Sequence, residues 1–255
     1  MNYPTWSDLS NESIIPPLGA RRAPDIGPVA VMVSCEPDMK FVTAAMDHPV
    51  TVPFFNSTLI TQPIRDKGIS VAGPFIGAPY AVMLLESLIA RGAKKVIVVG
   101  WCGALKDGLD VGDILLPSNA IVDEGTSKHY KHLDPELPVS APDLRLFDQL
   151  SDYLSSLGIA HEKGAIWTTD AIYRETPKKV ESFRNLGASA VEMECSALFS
   201  VAEYRNINIA GLLIVSDSVA SKTWNPGFRN KKFKQARKTS CDAIMKFLSG
   251  LTENE

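Results

Sequence analysis

The chain has 255 residues, 45% of them hydrophobic and 22% charged, with a formal net charge of −3. These values are ordinary for a soluble globular enzyme, and the length suits one large α/β domain. They exclude a broad basic field, so no nucleic-acid partner is expected and any anion must be bound locally. Cys35, Cys102, Cys195 and Cys241 stand far apart with no CxxC pair, which reads as reduced thiols in a cytoplasmic protein. The first eight residues lack the basic and apolar regions of a secretory signal, and every apolar run is broken short of a membrane span, so no membrane partner is expected.

Residues 1–28, rich in Pro, Ser, Asn and Arg, read as an irregular arm ahead of a single domain over 29–255. Val29 to Val33 is a continuous apolar run that predicts a buried strand. Gly77-Ala78-Pro79-Tyr80 opens a helix with apolar residues at Val82, Leu85 and Ile89, ended by Arg91-Gly92. Val96 to Val99 predicts a second buried strand that stops at a turn, Gly100-Trp101-Cys102-Gly103, and Val111 to Pro117 a third. Residues 142–157 fit a helix, 164–169 a strand, and 177–185 a helix begun by Pro177. Ala190 to Met193 reads as a short strand running into a helix over 195–205. Ile209 to Val215 is the most apolar strand, and a final helix fills 229–249, with Lys231-Lys232-Phe233-Lys234 on its solvated face. This alternation predicts an α/β fold with a parallel or mixed sheet, in which ligands gather at the carboxyl ends of strands.

Three strand ends carry unusual residues. In an extended Glu192-Met193-Glu194 the two carboxylates share one side, and two anions withdrawn from water need hydrogen-bond donors. Paired sugar hydroxyls are suitable donors, and Met193 is soft enough to lie along a sugar ring. The competing reading makes both glutamates solvated residues that cap the following helix. Asp217 follows the apolar strand and suits proton donation to a leaving base, with a turn or N-cap aspartate as the plainer reading. The glycines at 100 and 103 let backbone amides approach an anion, but the segment matches neither a P-loop nor a dinucleotide fingerprint. His48, His129, His132 and His161 fall in no metal-binding spacing, and a GxSxG turn is absent, so neither a metal, an organic cofactor nor a serine hydrolase is expected.

Taken in order, Gly100 to Ala104, Thr169-Asp170-Ala171-Ile172-Tyr173, Val191-Glu192-Met193-Glu194 and Val215-Ser216-Asp217 resemble the nucleoside phosphorylases and nucleosidases of the purine nucleoside phosphorylase/uridine phosphorylase type. The resemblance covers residues 29–249. It implies a three-layer α/β sandwich around a mixed, partly barrel-like central sheet, and homo-oligomers built from dimers, up to hexamers. It implies cleavage of the N-glycosidic bond of a nucleoside through an oxocarbenium-like transition state. Glu194 would take the 2′- and 3′-hydroxyls, with Met193 on the ribose and Glu192 beside them. The implied base-binding set is Trp167, Ile172, Tyr173, Asp217 and Arg229, and an acid at Asp217 favours a purine.

The departures concern the nucleophile. Phosphorolytic members carry an arginine where this chain has Val98, a small hydroxyl residue where it has Trp101, and a phosphate loop ending in a second arginine where it reads Cys35-Glu36-Pro37-Asp38-Met39. Losing two arginines removes much of the charge-assisted binding of an anion. Lys40, Arg65, Arg21 or Arg22 could replace them, which keeps phosphorolysis to ribose 1-phosphate, with inorganic phosphate as co-substrate, as the leading expectation. The alternative is hydrolysis, with Glu36 or Asp38 orienting a water in a subsite that also holds Gly100 and Trp101. A non-catalytic nucleoside-binding relative is the third reading.

Overall fold

The computed structural model describes residues 8–9, 13–20, 25–62, 68–221 and 223–253. In chain order its elements are β1 (Val29–Val33), α1 (Glu36–Thr43), β2 (Val50–Phe54), β3 (Ser57–Thr61), β4 (Ile69–Gly73), α2 (Ala78–Arg91), β5 (Lys95–Ala104) and β6 (Ile114–Asp123). There follow β7 (Val139–Ser140), α3 (Leu144–Ser156), β8 (Glu162–Thr169), α4 (Pro177–Asn185), β9 (Ala188–Glu192), α5 (Cys195–Arg205), β10 (Asn208–Ser218), β11 (Asn225–Pro226) and α6 (Lys231–Glu253). Among the described residues, 3-10 turns occupy Ser127–His129 and Ile172–Arg174.

Local chemistry explains the helix limits. The N-cap of α2 is Gly77 at φ 82°, and the helix stops at Gly92 with φ 129°, backbone values that a side chain would strain. The Asp143 side chain caps α3 by accepting the Leu146 amide at 2.8 Å, and Leu146, Phe147, Leu150 and Leu154 then form its buried stripe. Thr176 caps α4 ahead of Pro177. The first eight residues of α5 are all buried, so this helix runs through the interior rather than over the surface.

β5 is the hub of the sheet. It pairs parallel with β1 and β10 and antiparallel with β9. The path β10-β6-β8-β9-β5 closes on itself through the β10–β5 pairing, which makes a five-stranded barrel within a mixed sheet. β1, β4, β3 and β2 extend the sheet beyond the barrel. Alternate residues of β5 serve opposite layers, as the strand period requires. Val96, Val98 and Cys102 join a core with α2 and α5, whereas Ile97 and Val99 join one with α1, α3 and α6. A third, smaller core gathers Trp167, Val180, Val191 and Phe183 between β8, β9 and α4. No helix among the described residues is long and apolar enough to cross a membrane.

The structure moves two expected boundaries. Gly100 to Gly103 is strand rather than turn, because Gly100 and Trp101 pair with Leu213 and Ile214 and Gly103 pairs with Val191. The strand expected at 111–117 begins at Ile114, since Gly112 turns the chain at φ 90° and donates its amide to the Val215 carbonyl at 2.8 Å. α1, β2, β3 and β4 were not expected. β2 is mostly exposed and contains Pro53, which hides the alternation that marks a half-buried strand.

Candidate functional site

The carboxyl-terminal half of β5 organises the site. Gly103 pairs with Val191 on one side and Asp217 on the other, so the strand ends carrying Glu192 and Asp217 flank the same residue. A Cβ on Gly103 would stand 3.3 Å from Asp217 Oδ2 and 3.4 Å from Val191, which is why a glycine fits there. The buried Cys102 thiol beside it is raised first by burial and then by the charges of Asp217 and Glu192.

Glu192 and Glu194 have different tasks. β9 ends at Glu192, and Glu194 is the N-cap of α5 at φ −138°, ψ −36°, so the two do not share an extended face. Glu192 Oε2 accepts the amides of Glu194 at 2.7 Å and Cys195 at 2.8 Å, and Oε1 accepts the Thr168 hydroxyl. It caps α5 as the plainer sequence reading described, but it is buried rather than solvated and is satisfied at both oxygens. Glu194 is only 9% exposed, and its Oε1 accepts the Gly77 amide at the start of α2 at 2.5 Å. Burial and the neighbouring Glu192 charge push its carboxyl up to about 8. Further donors would relieve that carboxylate, which suits a ligand rich in hydroxyls.

Asp217 lies within the end of β10, just past a bulge at which Ser216 has no partner in β5. Its Oδ1 accepts the Ser216 hydroxyl at 2.6 Å and its Oδ2 the Trp224 indole at 2.9 Å. Glu175, half-buried at the end of the Ile172–Arg174 turn, is close enough to feel its charge; burial first and Asp217 second push Glu175 up to about 7.

The other residues expected around a base are scattered. Trp167 has no exposed surface: it stacks on Phe183 at 4.2 Å and donates to Asp123 Oδ2 at 3.1 Å, so its ring belongs to the core and offers no face to a ligand. Ile172 and Tyr173 lie on the surface, Tyr173 almost wholly exposed. Arg229 lines a shallow recess with Asp110, Val111 and Lys232, while Asp217 takes its described hydrogen bonds from Ser216 and Trp224.

The segment expected to meet the nucleophile begins α1. Asp38 is fully buried, accepting the Trp101 indole at 2.5 Å on Oδ2 and Arg237 Nε at 2.6 Å on Oδ1. Arg237, from α6, lies 4.7 Å from the Trp101 ring centre, 5.3 Å from that of Phe233 and 5.6 Å from that of Phe41. Burial raises the Asp38 carboxyl against the pull of Trp101 and Arg237. The cluster therefore carries one anion and one cation in direct contact and closes on itself. Cys35 connects it to the carboxylates: burial pushes its thiol up to about 12, with Asp38 and Glu194 adding to the rise. The Cys35 thiol lies 3.4 Å from the Ser34 hydroxyl, which would meet a Cβ on Gly100 at 3.0 Å. Val98 and Met39 are buried apolar residues.

Among the residues expected in that subsite, Glu36 and Lys40 pair with each other at 3.5 Å, both largely exposed. Arg65, Arg21 and Arg22 lie outside the described residues. Among the described residues no group of three or more His, Cys, Asp or Glu side chains is placed to hold a metal ion. The sequence reading missed Arg237, Glu175, Gly77 and Thr168. Arg237 carried a signal, since it falls in the apolar stripe of α6 between Phe233 and Cys241, four residues from each.

The family model described as the phosphorylase superfamily matches residues 28–249. The DeoD-type purine nucleoside phosphorylase of Alkaliphilus metalliredigens is 31% identical over 161 residues, 62% of this chain and 68% of that protein. The purine nucleoside phosphorylase of Toxoplasma gondii, solved with immucillin-H, superposes with a TM-score of 0.81 at 22% identity, covering 97% of this chain and 100% of that one. The 5′-methylthioadenosine/S-adenosyl homocysteine nucleosidase of Campylobacter jejuni has the same fold, with a TM-score of 0.75 at 19% identity over 87% of this chain and 98% of that one. The barrel, the carboxylates around β5 and the extent of the family match agree: the chain belongs to the phosphorylase superfamily, a family of nucleoside phosphorylases and nucleosidases.

Proposed function

We propose that the chain cleaves the N-glycosidic bond of a purine-type nucleoside, with Glu194 holding the ribose and Asp217 facing the base. The observation that carries this reading is that Gly103 pairs with both strands that lead to these carboxylates, β9, which runs through Glu192 into Glu194 at the start of α5, and β10, which carries Asp217. Ribose 2′- and 3′-hydroxyls would donate to Glu194 beside the Gly77 amide. Those donors favour its ionised form, and a carboxylate beneath the sugar stabilises the positive charge that grows on C1′ as the bond breaks.

Water is the attacking molecule that the geometry favours. Asp38 and Arg237 neutralise each other, Val98 and Met39 are apolar, and Cys35 and Ser34 present neutral groups. A dianion placed there would face the Glu192 and Glu194 carboxylates, and Arg237, the cation beside Trp101, is already paired with Asp38. Phosphorolysis is the second reading. Its support is the relatives, which include DeoD-type purine nucleoside phosphorylases at 29–31% identity. On that reading the phosphate ligands come from outside the described residues or from a second copy of the chain. Homo-oligomers belong to both readings, and the exposed Ile14, Ile15, Ile76 and Met83 support them.

The test is release of free base from inosine, adenosine, uridine and methylthioadenosine. Turnover of the purine nucleosides over uridine is expected. Saturable binding without turnover of any of the four would leave a nucleoside-binding protein in place of an enzyme.

A further inference from the structure

An N-cap residue commonly turns its own side chain back onto the first amides of its helix. Glu194 is the N-cap of α5, but its carboxylate leaves that helix and accepts the Gly77 amide, 117 residues earlier in the chain. Two other side chains do the capping. Glu192 Oε2 accepts the amides of Glu194 at 2.7 Å and Cys195 at 2.8 Å, and Thr168 Oγ1 accepts the Ser196 amide at 3.1 Å. The same Thr168 hydroxyl donates its one proton to Glu192 Oε1, which joins the two caps into one unit. Strand pairing sets this up, because Thr168 of β8 stands in register with Glu192 of β9. Thr168 is fully buried and Glu192 nearly so, and the pair belongs to the interior. The first turn of α5 is also held from elsewhere: Ser196 Oγ donates to Glu124 at 2.9 Å, and the Ser140 hydroxyl donates to the Ser196 carbonyl at 2.7 Å. The helix therefore has anchors that do not pass through Thr168.

Resting on the proposed grip of Glu194 on the ribose, we infer that Thr168 and Glu192 are positioning residues that release the Glu194 carboxylate from capping α5 and leave it to the sugar hydroxyls. Glu192 pins the Glu194 amide, and Thr168 pins Glu192, so the Thr168 hydroxyl fixes where the Glu194 side chain starts. Without that hydroxyl, Glu192 loses a donor and the Ser196 amide loses an acceptor, both inside the protein where an unmade bond is costly. The Glu194 carboxylate can then fold back onto the Ser196 amide, as an N-cap side chain does, and capping competes with the sugar. The arrangement therefore bears on substrate choice. It serves a ribonucleoside, whose 2′-hydroxyl needs an aligned Glu194, more than a 2′-deoxyribonucleoside.

The experiment compares inosine with 2′-deoxyinosine in Thr168→Val, which keeps the shape of the side chain and removes the hydroxyl. The wild type prefers inosine. Thr168→Val lowers kcat/KM for inosine about 10-fold, the size of losing one hydrogen bond, and for 2′-deoxyinosine less than about 3-fold, so the preference for ribose shrinks. Thr168→Ser, which keeps the hydroxyl, recovers most of the inosine rate and the preference. Cooperative unfolding in urea reports that Thr168→Val is folded. Equal slowing of both substrates, unchanged kinetics, a wild type that does not prefer inosine, or a Thr168→Val chain that does not fold overturns the positioning role while the cleavage reading stands. A wild type that releases base from neither substrate overturns both.

Discussion

Glu194 and Asp38 are both carboxylates withdrawn from water, and the protein treats them in opposite ways. Asp38 is paired inside the fold: an indole and a guanidinium take its two oxygens, and three aromatic rings surround the cation. Glu194 has the Gly77 amide as its close donor, a like charge beside it and a carboxyl pushed up to about 8. A satisfied buried ion pair contributes structure, whereas an under-satisfied carboxylate is a cost that a ligand can relieve. On the proposed function, the difference gives the α1–α6 region a structural task and the β9–β10 region the ligand.

Four changes break or sharpen that comparison. The largest effect is expected from Arg237→Ala, which leaves Asp38 buried without its cation and costs about 3–5 kcal/mol of stability in urea unfolding. A loss under about 1 kcal/mol, the range of a surface pair, would remove the structural role of the cluster. Glu194→Ala lowers kcat/KM for a nucleoside about 100- to 1000-fold, the size of losing one aligned transition-state contact. An unaltered rate would end the assignment of the sugar to Glu194.

The pH dependence of stability comes next. The Glu194 carboxyl is raised from 4.5 to about 8 by folding, so between those values the folded protein holds a proton that the unfolded chain has released. Stability therefore declines as pH rises through that window. Glu194→Gln should flatten the decline and gain on the order of 2 kcal/mol at the alkaline end, read as urea midpoints across the window. A wild-type midpoint that climbs over the same range contradicts the burial of an unrelieved carboxyl. The smallest effect is expected from Trp167→Phe, which gives up the bond to Asp123 for about 1 kcal/mol and leaves KM for every nucleoside unchanged. A raised KM would return Trp167 to the base site.

Much of this was legible in the sequence because it is periodic. Val29–Val33 and the β10 run follow from continuous apolar stretches, the amphipathic α3 from the helix period, and Gly92 from its left-handed cap. Glu194 and Asp217 stood out as acids at the ends of apolar strands. What could not be read were relations between distant segments. Glu192 looked equivalent to Glu194 until Thr168 and two amides of α5 were seen to satisfy it. Trp101 and Asp38 lie 63 residues apart, and Arg237 a further 136 along the chain, so their cluster depends on the packing of α1 against α6. Gly100 to Gly103 looked like a turn because glycines mark turns, and only the pairing with β9 and β10 makes them strand.

The central claim is that the nucleophile end lacks a place for phosphate while Glu194 and Asp217 serve the sugar and the base. Identifying the sugar released from a cleaved purine nucleoside, with and without inorganic phosphate, tests it most directly. The account predicts free ribose at a rate indifferent to phosphate. Ribose 1-phosphate as the product, formed only when phosphate is present, would contradict it.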